Sequence, residues 1–156
     1  MEPVNDADID WTESNGQADF RRKQLAAAAP GGGQDLGCSL YELDPGASAW
    51  PYHYHAGNAE AMFVLDGTGM VRCPDGEHTV TAGDYLAFPA SPDGAHQVVN
   101  DSEAPLHYLV FSTMRDPDVT RYVEADALGV YEGSAPGSHA DRTFTGYFAE
   151  RDGIVY

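Results

Sequence analysis

Residues 46–67 read GASAWPYHYHAGNAEAMFVLDG, and the fold turns on this stretch. His53 and His55 are separated by one residue, so on a strand both imidazoles point to the same face. Glu60 follows the short Ala56–Ala59 stretch and opens the apolar run EAMFVL (60–65). A hairpin at 56–59 would return Glu60 to the side of the two histidines. About forty residues beyond His55, GDYLAFPASPDGAHQVVN (83–100) sets His96 at the start of a further strand. His53, His55, His96 and Glu60 make a mixed nitrogen and oxygen donor set. Such a set suits a borderline divalent metal such as Mn, Fe, Co, Ni, Cu or Zn, whereas Mg and Ca want mostly oxygen.

Working outward, glycine and proline fall as punctuation at Asp44-Pro45-Gly46, Asp66-Gly67, Pro74-Asp75-Gly76, Ala82-Gly83-Asp84 and Pro92-Asp93-Gly94. Between them lie short runs rich in aliphatic and aromatic residues: 36–43, 60–65, 69–73, 77–81, 84–88, 95–100 and 105–113. Short strands at regular spacing, divided by turn residues, predict an all-β sandwich or barrel. QLAAAA (24–29) reads as a helical turn or a loop approach, because Pro30 and the glycines 31–33 stop it. With no internal repeat, the chain reads as one barrel over 36–113, an N-terminal arm over 1–35 and a C-terminal extension over 114–156. The extension is expected to pack on the barrel or on a partner subunit.

The 156 residues carry 25 acidic and 8 basic side chains, a formal net charge of -17. That surface repels phosphate backbones and anionic bilayers, so neither a nucleic acid nor a membrane is expected as a partner. The acids are spread evenly and Lys23 is the one lysine, a composition that resembles proteins of salt-loving organisms. No apolar run approaches a bilayer span, and MEPVNDADID lacks the pattern of a secretory leader, so a cytoplasmic location is expected. Cys38 and Cys73 are too few for a disulfide framework and are read as small buried hydrophobes.

Two motifs give the stretches a family resemblance. The first has Gly46, His53-x-His55, four residues to Glu60 and six more to Gly67; the second has Gly83, five residues to Pro89, then Gly94, His96 and, after three residues, Asn100. In this order they resemble the paired motifs of the cupin superfamily. The Gly46–His53 and Pro89–Gly94 gaps are slightly long, and neither departure touches a ligand position. PYHYHAGNAEAMFVLDG is also similar to a P-[FY]-H-Y-H-x-x-N-E-E-A-x-[FY]-V-L-x-G pattern of small single-barrel cupins, some labelled sugar-phosphate isomerases. Ala59 departs from that pattern and Glu60 keeps it; MRDPDVTRY (114–122) and His96-Gln97 are similar too. The resemblance implies a jelly-roll barrel, a double-stranded β-helix, with one divalent metal per chain on His53, His55, Glu60 and His96. It also implies a small-molecule ligand and a homodimer.

Around the ligands, Trp50 and Tyr52 are expected to shape the cavity mouth, and Met62 and Val64, which alternate with Glu60, to line its inside. Phe88 and Gln97 are expected at its border. His107 is a lining candidate by alternation, against the competing face Leu106, Tyr108 and Val110. The leading function is metal-dependent chemistry on a small organic molecule, of oxygenase, oxidase or isomerase type; the alternative is a non-catalytic binding barrel. A phosphorylated substrate wants cationic groups at the mouth. In the barrel segment only Arg72 offers one, with Arg115 and Arg121 just after it, which weighs against an isomerase.

Overall fold

The structure is a computed structural model, described over residues 2–14, 17–135 and 142–150. The other residues of the expected arm and extension lie outside the described residues. Strand β1 is Thr12–Ser14, β2 Gln17–Gln24, β3 Leu36–Leu43, β4 His53–His55, β5 Glu60–Asp66, β6 Thr68–Cys73 and β7 Gly76–Thr81. Then come β8 at Tyr85–Phe88, β9 at Gln97–Val99, β10 at Leu106–Thr113, β11 at Asp118–Tyr122, β12 at Ala127–Glu132 and β13 at Phe144–Ala149. A single helical turn, α1 at Leu25–Ala28, follows β2 and precedes Pro30. The fold is an all-β jelly roll, and no described helix is long and apolar enough to cross a membrane.

One wall is a six-stranded antiparallel sheet in the order β1-β2-β3-β10-β5-β8. The facing wall has two parts, β13-β12-β11-β4 and β7-β6-β9. They meet at a seam. His53 N–H donates to His96 C=O at 3.2 Å, and His96 N–H donates to His53 C=O at 2.8 Å. Strand pairing continues past residues 35 and 113, since β2 lies against β3 and β11 lies against β4.

Alternation along the strands fills the space between the walls. On β5, Met62 and Val64 are fully buried while Phe63 and Leu65 are exposed. Leu106 and Tyr108 of β10 are likewise inside. From β2, fully buried Phe20 stacks on Tyr41 at 5.5 Å and meets Trp50 edge-on at 5.3 Å. The β5–β6 turn needs glycine. Gly67 has φ +89°, and a Cβ there would come within 2.6 Å of the Pro105 carbonyl oxygen.

Candidate metal centre and its cavity

β4 and β5 do not form the hairpin expected from the sequence. They belong to opposite walls, and the 56–59 loop crosses between them. Buried Asn58 fixes that loop: its side chain accepts from Arg115 N–H at 2.7 Å and from the Thr113 hydroxyl at 3.1 Å, and donates to Arg115 C=O at 3.1 Å. The crossing makes Glu60 face the histidines across the barrel. Its Oε2 lies 3.5 Å from His96 Nε2 and 3.6 Å from His55 Nε2. The candidate ligand atoms of His53, Glu60 and His96 all lie within 4.8 Å of one another.

The tautomers follow from the partners. His53 Nδ1 faces Pro51 C=O at 2.7 Å, His96 Nδ1 faces Gly94 C=O at 2.9 Å, and His55 Nδ1 faces an Asp118 carboxylate oxygen at 2.6 Å. Those oxygens only accept, so each Nδ1 carries a proton and the lone pair of the neutral ring lies on Nε2. Thr120 Oγ1, 3.0 Å from His55 Nδ1, backs the same ring. Gly94 can supply its carbonyl because it lacks a side chain; a Cβ there would sit 2.0 Å from the Pro89 carbonyl oxygen.

Burial lowers His53 to about 3, helped by the neighbouring imidazoles of His96 and His55, and lowers His96 to about 4. Both rings are therefore neutral near pH 7, the form that ligates a metal. Burial also opposes charge on His55, but Glu60 and Asp118 outweigh it and raise its pKa. The residues fit a divalent transition ion: the buried neutral imidazoles of His53 and His96, the anchored ring of His55, and one carboxylate opposite them. A second group, Cys73, Asp75 and His78, lies on the β6–β7 hairpin. There His78 Nε2 is already bonded to Asp75 at 3.0 Å, and burial raises the Cys73 thiol.

A cavity of about 190 Å³ opens beside the donor set. Trp50 and Gln97 line it as the sequence suggests, whereas the other expected lining residues do not. Met62 and Val64 point inward but are packed deeper, in the core. Phe88 lies flat against His96, ring centroids 3.8 Å apart, and supports that imidazole. Tyr52 lies under the Arg72 guanidinium at 5.1 Å. His107 bonds Glu42 at 2.8 Å, because Leu106 and Tyr108 hold the inward face of β10.

Several residues around the site went unrecognised in the sequence. Asp118, Thr120 and Tyr122 share one face of β11, where Asp118 holds His55 and the other two line the cavity, and the signal was their alternation in DVTRY. Tyr122 and Tyr131 hydroxyls lie 3.3 Å apart, and Tyr131 donates to the Tyr147 hydroxyl at 3.3 Å. Burial pushes the Tyr108, Tyr122 and Tyr131 phenols up. Arg22 of β2 and Arg142, just before β13, also reach the cavity.

Residues 39–112 match the cupin domain family model Cupin_2. No curated protein sequence matches the chain. Among solved structures it is similar to a sugar phosphate isomerase from a cupin superfamily of Silicibacter pomeroyi, at 23% identity and TM-score 0.82, covering 99% of this chain and 97% of that one. That likeness includes the strands outside the matched domain. The polyketide cyclase RemF of Streptomyces resistomycificus is similar at 23% identity and TM-score 0.64, over 79% of this chain and 85% of that chain. A predicted oxalate decarboxylase of Thermotoga maritima is similar at 19% and 0.62, over 72% and 98%. At these identities the likeness is one of fold. With its jelly-roll architecture and the match of residues 39–112 to the cupin domain model, the chain has a cupin fold.

Proposed function

We propose that the chain holds one divalent transition ion, Mn, Fe, Zn or Ni, on His53, His55, Glu60 and His96, and that a small organic molecule reacts in the cavity beside it. The observation that carries this reading is the anchoring of all three imidazoles through Nδ1, which makes Nε2 the ligating atom of each neutral ring. When bound, the ion supplies a Lewis-acid or redox centre. The chain's own side chains do the rest. Trp50, Tyr41 and Tyr108 give the cavity aromatic walls that exclude water, and the Tyr122 hydroxyl is a donor to a ligand oxygen.

A second reading, a non-catalytic binding barrel, is favoured by a specific observation. With the four donors committed, the remaining polar lining groups among the described residues are phenols, the Trp50 indole, Thr120, Gln97 and two arginines. None is a general base near neutral pH, which also favours an oxygenase- or oxidase-type reaction over an isomerase-type proton transfer. The reading includes a cytoplasmic location and a homodimer; Phe144, Tyr147 and Phe148 leave apolar surface exposed on edge strand β13 for a second copy to cover.

The test is elemental analysis of untagged protein and of His96→Ala, purified in high salt without added metal, with circular dichroism to check folding. Near-stoichiometric metal in the parent, lost in the folded variant, is expected. Absence of metal from both proteins, even after reconstitution, overturns the metal reading. Turnover of a ligand then separates the catalytic reading from tight retention without reaction.

A further inference from the structure

The β6–β7 hairpin carries a second group of donor atoms, away from the barrel cavity. Cys73 ends β6 and pairs with Gly76 across a two-residue turn, Pro74-Asp75. On β6 the side chains of Val71 and Cys73 point the same way, and Val71 is fully buried. Val71 pairs with His78 of β7, and antiparallel partners share a face, so His78 stands diagonally beside Cys73. Asp75 reaches the same point from the turn, whose backbone Pro74 stiffens. The Cys73 sulfur, an Asp75 carboxylate oxygen and a His78 ring nitrogen all lie within 4.8 Å of one another. None of the three residues lines the cavity beside His53, Glu60 and His96.

His78 Nε2 is 3.0 Å from the Asp75 oxygen. Two nitrogen or oxygen ligands of a tetrahedral Zn stand about 3.3 Å apart, and a sulfur ligand stands about 3.6 Å from either. The His78–Asp75 pair is thus already near ligand spacing, and the sulfur has at most about 1.2 Å to close. Side-chain rotation covers that distance, since Asp75 is 76% exposed and His78 47%. Cys73 is half-buried and packs on the core, so its sulfur is the fixed point. Arg72, the basic residue of this hairpin, alternates to the other face and is committed to Gln97 and Glu124. Among the described residues, His78 is therefore the ion-pair partner of Asp75. A thiolate, an imidazole and a carboxylate together suit Zn or the softer Cd, whereas Mg and Ca want oxygen alone.

We propose that Cys73, Asp75 and His78 form a second metal site, which binds one Zn-type ion at the hairpin tip and leaves the fourth position to water. On binding, the Cys73 S–H bond breaks, its proton passes to solvent, and the sulfur electron pair forms the bond to the ion. The proton that His78 Nε2 directs at Asp75 leaves to solvent while Nδ1 takes one up, and the freed lone pair and the carboxylate oxygen complete the protein ligands. The ion ties the turn to both strands and so holds β7, the edge strand of its sheet, against β6. The site is independent of the barrel ion: the proposed barrel donors are nitrogen and oxygen, and only the hairpin set contains sulfur.

That difference supplies the test. Metal-free, phosphine-reduced protein is titrated with Cd in chelator-free buffer near neutral pH, and the ultraviolet sulfur-to-metal charge-transfer band is followed. The variants are Cys73→Ser, His78→Ala, the control Cys38→Ser, and His96→Ala to disable the barrel set, all checked for folding by circular dichroism. The parent, Cys38→Ser and His96→Ala are expected to show the band, saturating at one Cd per chain in His96→Ala. Cys73→Ser should lose it. His78→Ala, a change at an exposed position, should weaken Cd at least about tenfold, since even groups that only orient ligands contribute about 10–100-fold. Excess Zn should displace Cd and erase the band. The proposal is overturned by absence of the band in the parent, by a band that survives Cys73→Ser or excess Zn, or by a folded His78→Ala within about twofold of the parent, which marks a lone thiol binding Cd. The band in a protein whose barrel never takes up metal sustains this site while the barrel reading falls; barrel metal without the band does the reverse.

Discussion

Asp118 is the most informative residue to change. Fully buried, it takes the His55 Nδ1 proton at 2.6 Å and the Gly57 N–H at 3.0 Å, one carboxylate oxygen each. Asp118→Asn keeps the size and the contact to Gly57, but removes the charge that makes His55 a better donor. The amide NH₂ also comes to face Nδ1, which favours the tautomer with its proton on Nε2. A hydrogen bond to a charged group is worth about 1.5–3 kcal/mol, or roughly 10–150-fold in a binding constant. Carboxylates that orient metal-bound histidines contribute about 10–100-fold. The two routes agree, so Asp118→Asn should lower Zn or Mn affinity by about 10–100-fold. Competition with a chromophoric chelator measures this, and thermal unfolding of the metal-free variant shows whether the fold persists. A folded variant with affinity within about twofold of the parent would refute the assigned tautomer and with it the donor geometry.

Three further outcomes follow from packing and hydrogen bonding. Phe20→Ala should cost about 3–5 kcal/mol in urea unfolding, since the ring is fully buried against Tyr41 and Trp50; a loss under about 1 kcal/mol would mean the arm is dispensable. Asn100→Ala strands the buried Leu43 carbonyl and removes the partner of the Ser102 N–H, while the Ala104 carbonyl keeps the Ser102 hydroxyl; it should cost about 2 kcal/mol without altering metal stoichiometry in protein that still folds, and unchanged unfolding would contradict it. Gly94→Ala must move the turn that holds His96, so melting temperature and metal content should fall together. Parent-like values for both would show that the turn yields freely.

The candidate donor residues were legible because one intervening residue puts His53 and His55 on one strand face, and because the family motifs that the sequence resembles carry Glu60 and His96. Partners on distant strands carry no such local mark. Asp118 meets His55 only because β11 pairs with β4 in the register Thr120 to His55, a contact spanning more than sixty residues of chain. Arg22 was hidden in the same way: FRRKQ alternates Phe20 and Arg22, but nothing in it says that the arm is a strand of the wall. For Met62 and Val64, alternation gave direction without depth, so residues of the packed floor were expected in the cavity. His107 shows how a two-residue period is decided in practice. Leu106 and Tyr108 have more apolar area to bury than one imidazole, and they take the inside.

The seam between the two halves of the facing wall also bears on motion. His53 and His96 exchange both backbone hydrogen bonds with each other, so the two imidazoles are carried by one rigid unit while Glu60 rides on the opposite wall. An ion held between them would fasten the walls to one another, and its escape would require either Glu60 to swing away or the seam to part. The amide protons of His53 and His96 are therefore natural clocks for the site. Their hydrogen exchange should slow sharply on metal loading, more than that of β7 at the far end of the same wall, and the rate ratio would time how often the clasp opens.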